Sequence, residues 1–162
     1  MKKMYVLIAI GLLAVCCFSS LTLAANTSTQ TVTFQVTAIN EISTSGSPAA
    51  LIISSATAGS EPSPAVNSAT TYAITTNEST KKITGVLDSA MPANTTLTIN
   101  LAAPTGATSA GDVALSNVAA DLVTGIATIA ESGKTITYTF SATIAAGVIP
   151  STSRTVTFTV TN

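Results

Sequence analysis

The sequence predicts an all-β fold: an antiparallel, immunoglobulin-like Greek-key β-sandwich of about eight strands, following a cleaved N-terminal signal peptide. Three observations carry this expectation. Apolar and polar residues alternate with period two in several short runs, turn-forming clusters of Gly, Pro, Asn and Ser separate those runs, and no stretch sustains a helical period. The composition agrees, because Thr, Ser, Ala and Val dominate, only 8% of residues are charged, and His and Trp are absent. Such β-branched, charge-poor chains are the opposite of disordered ones.

The N-terminus reads as a targeting segment. Lys2 and Lys3 precede an apolar run over residues 4–18, followed by small and polar residues up to Ala24 and Ala25. This is the pattern of a secretory signal peptide, with cleavage expected after Ala24 or Ala25. A retained anchor is the competing reading, but the run falls short of the roughly 20 residues that span a bilayer as a helix. Cys16 and Cys17 raise the question of lipidation; the branched Val15 before Cys16, and Cys16 itself before Cys17, stand where a lipoprotein signal wants a small residue. Without lipidation the mature chain has no cysteine, hence no disulfide and no thiolate metal site. The domain plan is residues 1–24 as signal peptide and residues 25–162 as one β-sandwich domain, large enough to bury a core without staples.

The first strand is expected at residues 31–38 (T-V-T-F-Q-V-T-A), with Val32, Phe34, Val36 and Ala38 on one face and Thr31, Thr33, Gln35 and Thr37 on the other. Ile39 and Ile42 break that register, so a bulge or bend is expected before Gly46-Ser47-Pro48. Residues 50–54 (A-L-I-I-S) suggest a short strand buried on both faces or crossing between sheets, and the two prolines of residues 59–64 mark a surface loop. Residues 70–76 and 81–87 flank Asn77-Glu78-Ser79-Thr80 and predict a hairpin, with Lys81 and Lys82 as an edge-strand charge pair. After the Met91–Asn94 turn, residues 95–102 place Leu97, Ile99 and Leu101 on a common face. A long connection over residues 104–112 leads to a weak strand at Val113 and Leu115. Residues 114–130 admit either a helical turn around Asp121 or extended chain. The clearest alternation closes the chain: Ile136, Tyr138, Phe140, Ala142 and Ile144, then Val156, Phe158 and Val160 as a C-terminal core strand.

An internal echo links the two ends. Residues 31–36 read T-V-T-F-Q-V and residues 155–160 read T-V-T-F-T-V. The plain reading is that both strands solve the same problem of facing one core; the sharper reading is that they are interchangeable in pairing, within one domain or between neighbours.

Catalytic chemistry finds little support. With no histidine, the usual general base at neutral pH and the commonest metal ligand are both missing. Serine is plentiful, but no spacing to Lys81, Lys82 or Lys134 singles out a nucleophile. The carboxylates are dispersed and form neither a calcium loop nor a glycosidase pair; Asp112, beside Gly111, and Asp121 could share an ion if the fold brought them together, but solvated loop charges are the expectation. No cofactor or metal is expected. In the mature chain Lys81, Lys82, Lys134 and Arg154 stand against seven carboxylates, a net charge of −3 that suits nucleic acid poorly, and no membrane partner is expected after signal cleavage. Sequons at Asn26, Asn77 and Asn94 are those chance supplies in a Ser/Thr-rich chain.

The signal peptide, the T-V-T-F-Q-V-T-A segment and the ending A-G-V-I-P-S-T-S-R-T-V-T-F-T-V-T-N together resemble secreted bacterial fimbrial and spore-coat-U-type β-sandwich subunits. The resemblance covers the two ends and the strand rhythm between them. It implies a surface or filament subunit in which an extended segment of one copy completes the sheet of the next. The chain departs from that pattern in lacking the cysteine pair many members carry and any clear hallmark of chaperone recognition. The expected function is therefore a non-enzymatic, secreted structural subunit of the cell surface, pilus or extracellular matrix. It would self-associate or bind other surface proteins, donating the face formed by Val32, Phe34, Val36 and Ala38. The second expectation is a monomeric carbohydrate- or protein-binding, adhesin-like module, which the few aromatics (Phe34, Tyr72, Tyr138, Phe140, Phe158) disfavour. No wall-sorting motif or basic tail is visible at the C-terminal end, which argues against covalent wall anchoring though not against association with other surface proteins.

Overall fold

Alternating β-branched residues become strand where both edges of the ladder and one face find partners. The computed structural model describes residues 26–162, so the expectations of a signal peptide and of its cysteines lie outside the described residues. The chain divides into two units, Met1–Gln35 and Val36–Asn162. In the first, residues 26–35 form neither strand nor helix and are all exposed.

The second unit holds nine strands: β1 (Asn40–Thr44), β2 (Ala65–Thr76), β3 (Lys81–Leu87), β4 (Thr95–Leu101), β5 (Thr108–Ser109), β6 (Val113–Ala114), β7 (Ala120–Ile126), β8 (Ile129–Ala142) and β9 (Val156–Thr161), with one 3-10 turn at Ile144–Ala146. They make two antiparallel sheets in the orders β1-β2-β8-β4-β6 and β5-β7-β3-β9. Inward residues of both sheets join in one cluster. Tyr72, Ile74, Ile99, Leu101 and Ile136 come from the first sheet, and Ile83, Leu87, Leu122, Val123 and Ile126 from the second. Each such side chain contributes roughly 1.5–3 kcal/mol by leaving water, which makes this shared core the main support of a sandwich-like, all-β unit.

Bulges adjust the ladders where the core requires it. Between the pairs Tyr72↔Lys134 and Ile74↔Glu131, β8 carries two intervening residues against one on β2. Gly133 supplies the positive φ of 69° that this extra residue needs.

Several expectations are corrected. Residues 31–38 are not a strand; the ladder starts at Asn40, where a bend was expected, because only from Asn40 onward does the backbone pair with β2. Residues 50–54 are not a strand either: Leu51 packs against the core while Ile52 is exposed. The segments expected to form a hairpin are both strands, β2 and β3, but they lie in different sheets, so residues 77–80 turn a corner between layers. Lys81 and Lys82 consequently begin a central strand, flanked by β7 and β9, rather than an edge. Residues 120–126 are extended rather than helical, and Ile144 falls in the 3-10 turn after β8 and is exposed.

Candidate functional site

The predicted donor face is fully displayed. Val32, Phe34 and Val36 are 71%, 89% and 80% exposed, and Ala38 is exposed as well. The threonines and glutamine of the opposite face are exposed too, and no residue from 26 to 39 enters a ladder among the described residues. A β-patterned run with three large apolar side chains in water is unusual for a chain with no use for them.

Its root is tied down by Asn77. The Asn77 side chain accepts a hydrogen bond from Ile39 N (2.8 Å) and donates one to Thr37 O (2.8 Å), while Asn77 N donates to Ile39 O (3.3 Å). One asparagine at the corner thus does for residues 37–39 what a ladder neighbour would do.

A polar cluster closes the same end of the unit. Thr76 Oγ1 donates to Asn40 Oδ1 (2.7 Å), the Asn40 side-chain amide donates to Glu78, and Lys81 Nζ lies 3.1 Å from Glu78 Oε2. Lys81 is only 8% exposed and also donates to Asn162 Oδ1. The Asn40 amide, and then Lys81, hold the Glu78 carboxyl below the ordinary carboxylate range. The sequence reading missed this cluster by treating residues 77–80 as a turn. One signal was present: Lys81, Ile83, Gly85 and Leu87 share a face, and an inward lysine demands partners.

Val156, Phe158 and Val160 lie in β9. This strand pairs with β3 through six positions from Lys82↔Thr161 to Leu87↔Val156, and its other edge is free among the described residues. Val156, Phe158 and Val160 pack on the core but stay half-buried. β1 lies beside β9 and covers only Tyr72–Thr76 of β2, so residues 65–70 of β2 also lack a neighbour on that side. Half-buried Phe140 belongs to the partly covered core.

Asp112 and Asp121 do not form a shared site: Asp112 accepts from Asn100 (2.8 Å), and Asp121 pairs with Lys82 (3.0 Å). Among the described residues no His/Cys/Asp/Glu group is arranged to hold a metal. An open depression of about 580 Å³ is lined by residues 56–61 and Ile144, with Glu61 as its sole charge, already accepting from Ile144 N. No described helix is long and apolar enough to cross a membrane. No family model, curated protein or solved structure matches the chain.

Proposed function

We propose that this chain is a secreted, non-enzymatic structural subunit of the cell surface, pilus or extracellular matrix. It assembles when residues 31–38 of one copy add a strand to the next. The domain is read as an immunoglobulin-like Greek-key sandwich whose free flank, bounded by β9 and the first half of β2, receives that strand. The observation that carries the reading is the exposed, unpaired T-V-T-F-Q-V-T-A segment, whose sequence echoes the paired strand containing β9. Backbone hydrogen bonds supply affinity in such an addition, and Val32, Phe34 and Val36 would set register by entering the half-covered core. A head-to-tail contact of this kind need not close on itself and propagates as a filament.

The test is light scattering after size exclusion, with negative-stain microscopy, on residues 25–162 and on a chain beginning at Ala38. Oligomers or fibres that vanish when residues 25–37 are removed support strand donation. A stable monomer at high concentration with the segment present overturns it and favours the binding-module alternative.

A further inference from the structure

Lys81 is the buried lysine of the core face, and its surroundings differ from those of Lys82 and Lys134. Those two each meet a carboxylate, Asp121 and Glu131 respectively. Lys81 meets a carboxylate and a carboxamide together. Its Nζ lies 3.1 Å from Glu78 Oε2 and donates a hydrogen bond to Asn162 Oδ1. An amine held against an amide carbonyl, with a carboxylate touching the amine, brings together the three groups that acyl transfer between them would use.

We propose that Lys81 and Asn162 join in an intramolecular amide cross-link, with Glu78 carrying the proton. Glu78 takes a proton from Nζ, and the freed lone pair attacks Cγ of Asn162. The tetrahedral adduct loses the second Nζ proton to solvent and expels the side-chain nitrogen, which takes the first proton back from Glu78 and leaves as ammonia, so that Nζ keeps the single hydrogen of the new amide. One Nζ–Cγ bond forms and one Cγ–Nδ2 bond breaks. No oxidant, cofactor or other co-reactant is consumed. Asn40 and Lys81 favour the ionised form of Glu78, so the protonated shuttle is a minority species. A step that happens once in the life of each molecule tolerates that.

The link would fasten the start of β3 to the residue following β9, beside the Lys82↔Thr161 pair that ends their ladder. It would close a loop between positions 81 residues apart. Both cysteines of the sequence lie at positions 16 and 17, so the sandwich itself has no disulfide to do this work. The inference does not rest on strand donation, since it concerns a single subunit.

Mass spectrometry of the full chain, purified folded and then digested after Lys and Arg, tests it. The expected result is residues 155–162 recovered still attached through Lys81, one ammonia lighter than the separate peptides, with Lys81 uncleaved. Asn162→Ala should abolish the branched peptide while circular dichroism shows the fold retained, because Asn162 is exposed. Glu78→Gln should slow its formation by about a hundredfold or more, the range of a lost general acid–base group. Free residues 155–162 from wild-type protein after days of incubation would overturn the proposal. Ammonia loss confined to an unbranched peptide, the signature of asparagine cyclisation, would overturn it equally. A branched peptide that forms at the same rate in Glu78→Gln would remove Glu78 from the step.

Discussion

At Gly85 the two sheet layers leave no room for even a methyl group. An ideal Cβ there would stand 2.7 Å from Leu122 Cδ1 and 3.4 Å from Leu115 Cδ2, both on buried side chains. Gly85→Ala must therefore displace Leu122 from its packed position. Overpacking of this kind costs about 1–3 kcal/mol, and a urea titration should show the midpoint falling with little change in slope.

The two core tyrosines make a pH prediction. Burial pushes the Tyr72 phenol up to about 12, with the nearby Glu131 charge adding to it, and burial alone does the same for Tyr138. Folding thus favours the neutral phenol. The stability it brings is intact below the ordinary value of 10 and is lost as pH rises through about 12. Phenolate absorbance should stay low above pH 10 in the folded protein and then appear together with the loss of near-ultraviolet dichroism. Independent titration of both tyrosines near 10 would contradict the buried environment.

At the scale of elements, the 77–80 corner organises three things: the step from one sheet to the other, the root of the N-terminal segment and the polar cluster. Asn77→Ala removes two side-chain hydrogen bonds at exposed positions, so the global cost should stay near 1 kcal/mol. The Ile39 amide should exchange with deuterium markedly faster while core amides of β2 and β8 do not, because the loss is local.

Two carboxylates, Glu78 at this corner and Glu131 within β8, contribute to the acid limit. Glu78 is held low by Asn40 and Lys81; Glu131 is held low by Lys134 and by Thr105 N. Their contribution is present above the ordinary value of 4.5 and is lost as pH falls through the lower folded values. Glu131→Gln should therefore flatten the fall of stability on acidification in a series of urea titrations. An unchanged slope would mean that Glu131 titrates alike in folded and unfolded chain.

At the scale of the whole molecule, the assembly reading separates folding from association. Phe34 is 89% exposed, so Phe34→Asp should leave the melting temperature of the monomer unchanged, as surface substitutions usually do. The same change should abolish any fibres or oligomers, since a carboxylate cannot enter an apolar acceptor without a partner. Fibres that persist in Phe34→Asp would place the donated face elsewhere.

Much of the strand content was legible because period two is a local property. Leu97, Ile99 and Leu101 mark the inner face of β4, and Ile136 and Tyr138 that of β8, as their spacing implied. Partners are not local. The alternation of β2 and β3 is as good as that of any hairpin, yet the short link between them changes layers because β8 and β9 offer each strand a better neighbour. Val32, Phe34 and Val36 show the converse, a strand pattern with no strand, since alternation describes what a segment could bury and not whether its own chain supplies the cover.

By itself the sequence determined the all-β class, the inward faces of β4 and β8 and the poverty of catalytic groups, all consequences of residue type and short-range spacing. Tertiary structure alone decided which strands share a sheet, that Lys81 is buried against Glu78 and Asn162, and that residues 31–38 enter no ladder. Those outcomes depend on contacts between residues tens of positions apart, and they are fixed by the competition of all segments for one core.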